Sequence, residues 1–145
     1  MKKQLFRLCS ALLLAALVIS QANMPIEGKS KVLYYISNLN KTKGNTEYRS
    51  PGINKIVFES DKVTLYASLS KSTKPLAPSS EGQWCRYKKR TFKLAKNIKY
   101  YGVGGDNPRC TYDADTFKEI CLSYNGLGLE IKLKNNKVVS MTLMS

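Results

Sequence analysis

Leu127-Gly128-Leu129-Glu130-Ile131-Lys132-Leu133-Lys134-Asn135-Asn136-Lys137-Val138-Val139-Ser140-Met141-Thr142-Leu143 is the stretch that decides the fold class. Leu127, Leu129, Ile131 and Leu133 alternate with Gly128, Glu130, Lys132 and Lys134. After Asn135-Asn136, Val139, Met141 and Leu143 alternate with Ser140 and Thr142. Period-two alternation marks strands with one buried face, so this segment is a β-hairpin. A two-residue Asn135-Asn136 turn pairs Leu133 with Val138 and Lys132 with Val139, which turns the two apolar sets onto opposite faces. A three-residue loop, Lys134-Asn135-Asn136, pairs Ile131 with Val139 and Leu129 with Met141 and keeps one apolar face. The face rule therefore predicts the three-residue loop.

Immediately upstream lies the one helix candidate, residues 114–124. Asp113 is placed to cap its first amides. Phe117, Ile120, Cys121 and Tyr124 fall at i, i+3, i+4 and i+7, a single apolar stripe. Asn125-Gly126 ends the helix. Further upstream the chain reads as strand and turn. Residues 31–37 are rich in β-branched and aromatic side chains. Residues 53–70 form a second hairpin, in which Ile56 and Phe58 share a face with Val63, Leu65 and Ala67. Pairing Phe58 with Val63 sets Glu59 opposite Lys62. Residues 70–83, with two prolines, are a long flexible loop or a crossover. In 84–94 the two ends read as strand, but the middle carries charge on both parities, which predicts a hairpin tip near 88–90. Ile98 to Val103 is a strand, broken by Gly102, Gly104, Gly105 and Pro108. These elements predict a mainly β domain with one helix (α+β). The architecture expected is a small barrel-like or two-layer antiparallel β domain, with the helix before the C-terminal hairpin.

The first 22 residues differ in kind. Lys2, Lys3 and Arg7 precede the apolar run Ala11–Ile19, and Ser20-Gln21-Ala22 offers small residues at a cleavage site. That order predicts a signal peptide over 1–22 and a single secreted β-rich domain over 23–145. The apolar run is well short of the roughly 20 residues of a spanning helix, so no stable membrane span is expected after cleavage. The expected location is secreted or cell-envelope, extracellular or periplasmic, and the short charged n-region looks bacterial. Without the three leader charges the formal net charge falls from +14 to +11. Such a surplus suits anionic partners: polysaccharide, lipid head groups or nucleic acid.

Export also frames the cysteines. Cys9 lies in the leader; Cys85, Cys110 and Cys121 remain, an odd number. Either one disulfide forms and one thiol is left, or all three are buried thiols. If two pair, Cys110 and Cys121 are the expected pair, because a bridge there pins the glycine-rich segment before the helix.

The chain contains no histidine. Ser-His and Cys-His nucleophile pairs and most zinc sites fall away together, and neither a metal site nor a cofactor is expected. Asp113 and Asp115 are closely spaced carboxylates, and helix capping accounts for them. The Gly102-Val103-Gly104-Gly105 run lacks a following lysine and helix, so it reads as a turn rather than a phosphate cradle.

One segment suits surface recognition. Arg86, Lys88, Lys89, Arg90, Lys93, Lys96 and Lys99 interleave with Trp84, Tyr87, Phe92, Tyr100 and Tyr101, and no carboxylate occurs from Gly82 to Gly105. Cations neutralise anionic polymers while aromatic faces stack on bases or sugar rings. The binding residues expected are Trp84, Arg86, Tyr87, Lys88, Lys89, Arg90, Lys93, Lys96 and Lys99. The bland alternative is a solvated hairpin with core aromatics on its far side. The leading functional reading is a non-enzymatic binding module for an anionic envelope or extracellular partner. The alternatives are a secreted enzyme working without histidine, such as a carboxylate-dependent glycan hydrolase, and a secreted inhibitor or interaction protein that binds another protein.

Overall fold

A computed structural model describes residues 30–145; the expected signal peptide lies outside the described residues. The strands are β1 (Val32–Leu39), β2 (Ile53–Phe58), β3 (Lys62–Ser72), β4 (Gln83–Gly104), β5 (Asn107–Tyr112), β6 (Leu127–Lys134) and β7 (Lys137–Met144). Helix α1 (Ala114–Ser123) precedes the C-terminal hairpin. One sheet holds all seven strands in the order β2-β3-β1-β6-β7-β4-β5, and β3 also pairs with β4. The domain is thus mostly β with one helix. The sheet is mixed rather than purely antiparallel, because β7 runs parallel to β4. A parallel pair needs a long crossover, and β5, α1 and β6 supply it.

The C-terminal hairpin corrects the expected loop. Lys134 pairs with Lys137 and Leu133 with Val138, so the turn has two residues. Asn135 and Asn136 both take positive φ, 51° and 64°, as a type I′ turn requires. The face problem is solved instead by a bulge: Leu133 faces Val138 but Lys132 faces Ser140, leaving Val139 unpaired. The extra residue reverses the parity, so Val138, Met141 and Leu143 all reach the core beside Leu133, Ile131 and Leu129.

The β2–β3 hairpin forms as expected. Phe58 pairs with Val63, and Glu59 meets Lys62 at 3.6 Å. The hairpin expected at 88–90 does not form. β4 runs on through it, paired with β3 from Lys62↔Lys93 to Lys71↔Gln83. Charge on both parities is tolerated there because no residue of β4 before Tyr100 is fully buried. A bulge between Ala67↔Lys88 and Leu69↔Cys85 shifts the parity, so Cys85 packs on the core as Phe92 and Leu94 do. β5 is an edge strand that tolerates Pro108, joined to β4 by a Gly105-Asp106 turn.

Val63, Leu65, Ala67 and Leu69 of β3 are fully buried, and α1 closes the core over them with Phe117 and Cys121. The Phe117 ring lies 4.7 Å from Tyr100 and 6.4 Å from Tyr112. Burying one such side chain is worth roughly 1.5–3 kcal/mol. Asp113 caps α1 as expected: its carboxylate accepts from the Thr116 N–H and hydroxyl, both at 2.8 Å. Ile120 packs against the core, while Tyr124 lies past the last turn and is exposed.

The expected Cys110–Cys121 bridge is absent; Cys85, Cys110 and Cys121 are free thiols. Cys121 faces the core from α1, whereas Cys110 lies on edge strand β5, its Sγ 3.6 Å from the Gly102 carbonyl.

Candidate functional site

Alternation along β3 and β4 builds a basic face on the side away from the core. Val63 points inward, so Lys62, Thr64 and Tyr66 point outward; Phe92 points inward, so Lys89, Thr91 and Lys93 point outward. Cross-strand register then assembles three rows. Tyr66 on β3 stands between Lys55 on β2 and Lys89 on β4, with the Lys55 and Lys89 ammonium groups 5.7 and 5.9 Å from the Tyr66 ring centre. Val57, Thr64 and Thr91 form the next row, with the two threonine hydroxyls 3.0 Å apart.

The third row is all lysine. Lys62 pairs with Lys93, Lys93 with Lys137, and Lys137 with Lys134. Directly paired residues project to the same side of a sheet, so four ammonium stems on four adjacent strands stand side by side. Like charges placed directly opposite destabilise a sheet. Glu59 against Lys62 is the one ion pair among the described residues, and it is too exposed to contribute much.

Tyr87 extends the face. Its hydroxyl accepts from Asn54 Nδ2 at 3.4 Å, and Lys43 Nζ lies 5.4 Å from its ring centre. Lys43 is held there by the 40–52 loop. The buried Ser68 hydroxyl donates to the Lys43 carbonyl at 2.8 Å and accepts from the Gly52 N–H at 3.0 Å, while Ser37 donates to the Ser68 carbonyl at 2.9 Å. Gly44, at φ +76°, lets this loop pass so close that a Cβ there would meet Ser68 and Ser50.

Of the nine expected binding residues, this face gathers Tyr87, Lys89 and Lys93. The other six are placed elsewhere or differently. Arg90 turns back onto the backbone: its guanidinium donates to the carbonyls of Ala67 and Arg86, both at 2.7 Å, and of Lys88 at 3.4 Å. Burial lowers its pKa from the usual guanidinium value, and it fastens the β4 bulge. Lys88 is exposed on the Arg90 side of the strand, and Arg86 is exposed with its carbonyl taken by Arg90. Trp84 is half-buried beside Ser70, and its indole N–H has no hydrogen-bond partner among the described residues. Lys96 sits where β4 loses register with β7, and Lys99 pairs with Ser140 on the other half of the sheet.

Sequence reasoning missed Lys43, Lys55, Lys62, Tyr66, Lys134 and Lys137. All but Lys43 stand on the polar parity of strands or beside a turn, which is the only signal they carry. Nothing in one strand says which lysine of another will stand beside it.

Asp113 and Cys121 have structural roles. The Asp113 pKa is held below the ordinary carboxylate range by the Thr116 N–H and hydroxyl. Burial pushes the Cys121 thiol up to about 12, so it is a poor nucleophile. Comparisons with protein-family models, with curated proteins and with solved structures find no match for this chain.

Proposed function

We propose that this chain is an exported, non-enzymatic module that binds a linear anionic polymer at the cell envelope or outside the cell. The observation that carries the reading is the Lys62–Lys93–Lys137–Lys134 row. Adjacent strands lie about 4.8 Å apart, so the row offers four cations over roughly 15 Å. A polyanion lying across the strands would relieve their mutual repulsion, and the Tyr66 and Tyr87 rings, farther along the same face beyond the threonine row, give sugar rings or bases a stacking surface. The sheet favours this use if it is barrel-like. β3 pairs with β1 and with β4, and the pairings β1–β6–β7–β4–β3 return to β1. Such closure would bring the β6–β7 turn lysines to the same face as β3.

The test is affinity for an anionic polysaccharide, an oligonucleotide and anionic phospholipid vesicles at two salt concentrations. The combined change Lys93→Gln, Lys134→Gln and Lys137→Gln should cost at least tenfold in affinity for the preferred polymer. With an oligonucleotide, the salt slope should shrink by roughly one unit per lost contact. Wild-type and variant proteins with equal affinity and equal slopes would overturn the proposal.

A further inference from the structure

The opposite half of the sheet carries a second polar site, independent of the lysine row. On the outer side of β1, β6 and β7, the register places Tyr34 beside Lys132 and Lys132 beside Ser140, then Ile36 beside Glu130 and Glu130 beside Thr142. A solvated face would leave these polar groups open. Here Glu130, Thr142 and Ser140 are only 5%, 4% and 9% exposed. The segment after β3 lies over them, and the Glu130 carboxylate accepts the Leu76 N–H. Leu76 takes φ +49°, unusual for a branched side chain, to make that contact.

Between strap and sheet is a cavity of about 280 Å³. Tyr34, Arg109, Glu130, Lys132, Ser140 and Thr142 line it. The two cations are held by aromatic rings rather than by the carboxylate. Arg109 lies 3.5 Å above the Tyr101 ring and Lys132 lies 5.8 Å from the Tyr34 ring centre. Neither comes within ion-pair distance of Glu130.

This volume sits at the small end of ligand pockets, roughly 300–1,000 Å³, and suits one sugar-sized molecule. Two cations against one carboxylate leave the site net positive, which favours a monoanion. Glu130 and the two hydroxyls add acceptors that need donors from the ligand. A phosphate dianion would face Glu130 with charge and few protons to donate. A zwitterionic amino acid would satisfy Glu130 but leave the surplus cation unanswered. We infer that this cavity binds a small carboxylate-bearing polyol of the hexuronate type. Its carboxylate lies toward Arg109 and Lys132, and its hydroxyls donate to Glu130 and hydrogen-bond with Ser140 and Thr142.

The experiment is titration of the purified protein with glucuronate, galacturonate, glucose and glycine, followed by calorimetry and by amide chemical shifts. For so small a ligand, a dissociation constant in the roughly millimolar range is expected. At least one uronate should bind about tenfold or more tightly than glucose, the worth of one good charge-assisted contact. Shifts should concentrate at Leu76, Arg109, Glu130 and Thr142. Arg109→Ala and Thr142→Val should each weaken uronate binding at least several-fold while the melting temperature of Arg109→Ala stays near wild type. Lys93→Gln should bind uronate normally, which separates this site from the polymer-binding face. Absence of saturable binding by either uronate, equal binding of glucose, tighter binding of glycine, or an Arg109→Ala variant that binds as wild type would each overturn the inference.

Discussion

Replacing Lys93 by Gln should make the domain more stable and a poorer polyanion binder at once. Lys93 stands between Lys62 and Lys137 in direct cross-strand register, so its charge has two like neighbours. Two unit charges about 5–6 Å apart in water repel by about 0.7–0.8 kcal/mol. Neutralising Lys93 removes two such terms, about 1.5 kcal/mol as an upper bound before screening. Splaying of the long side chains reduces this, and at physiological salt the Debye length of about 8 Å halves it again. About 1 kcal/mol at low salt is therefore the expected gain. For a domain of this size that is a rise of roughly 3–6 °C in melting temperature. The gain should shrink towards zero in about 1 M salt, where the Debye length is about 3 Å. Thermal unfolding of wild type, Lys93→Gln and the control Lys74→Gln across a salt series measures it. Lys74 lies in the loop after β3, outside the row. A Lys93→Gln protein that melts at or below wild type at low salt, or that gains no more than the Lys74 control, would refute the reasoning that the row is a strained charge cluster.

Arg90→Lys should cost about 1–2 kcal/mol, because an ammonium cannot span the carbonyls of Ala67, Arg86 and Lys88, whereas Lys88→Ser should stay within about 0.5 kcal/mol; urea denaturation compares them, and equal costs would reject the structural role of Arg90. Burial raises the Glu130 pKa, opposed by the Leu76 N–H and by Lys132 and Arg109, with Tyr34 lining the same cavity. The folded state then holds that proton more tightly than the unfolded chain, so this contribution to stability is fully present below the unfolded carboxylate pKa and is lost as pH rises through the folded value. Glu130→Gln should flatten that slope, read from melting temperatures across pH 4 to 8 (roughly the carboxylate range and above); an unchanged slope would count against it. Thiol labelling of the native protein should modify the exposed Cys110 first and Cys121 only on unfolding, and peptide mapping without reduction should find no Cys110–Cys121 bridge.

The strand and helix content was legible because it depends on local pattern. Period-two alternation at 127–143, the Phe58–Val63 hairpin with its Glu59–Lys62 pair, and the Asp113-capped helix each follow from residues within about ten positions of one another. Single-residue shifts of register were not legible. Both two-residue and three-residue loops are consistent with Asn135-Asn136, and the bulge that reconciles the shorter turn with one apolar face costs a single unpaired Val139. The same holds in β4, where a bulge opposite Ser68 brings Cys85 to the core side.

The candidate sites divide along the same line. The basic-aromatic character of 84–99 was plain from composition, but composition spreads it along a chain, and a strand sends alternate side chains to opposite faces. Arg90 and Lys89 are neighbours in sequence; one fastens backbone carbonyls and the other flanks Tyr66 in the open. The sequence alone determined that this is a basic, histidine-free, mostly β chain with one capped helix. Only the tertiary structure decided that Lys62, Lys93, Lys137 and Lys134 form one row, and that a strap covers Glu130, because those arrangements depend on pairings between strands far apart in the chain.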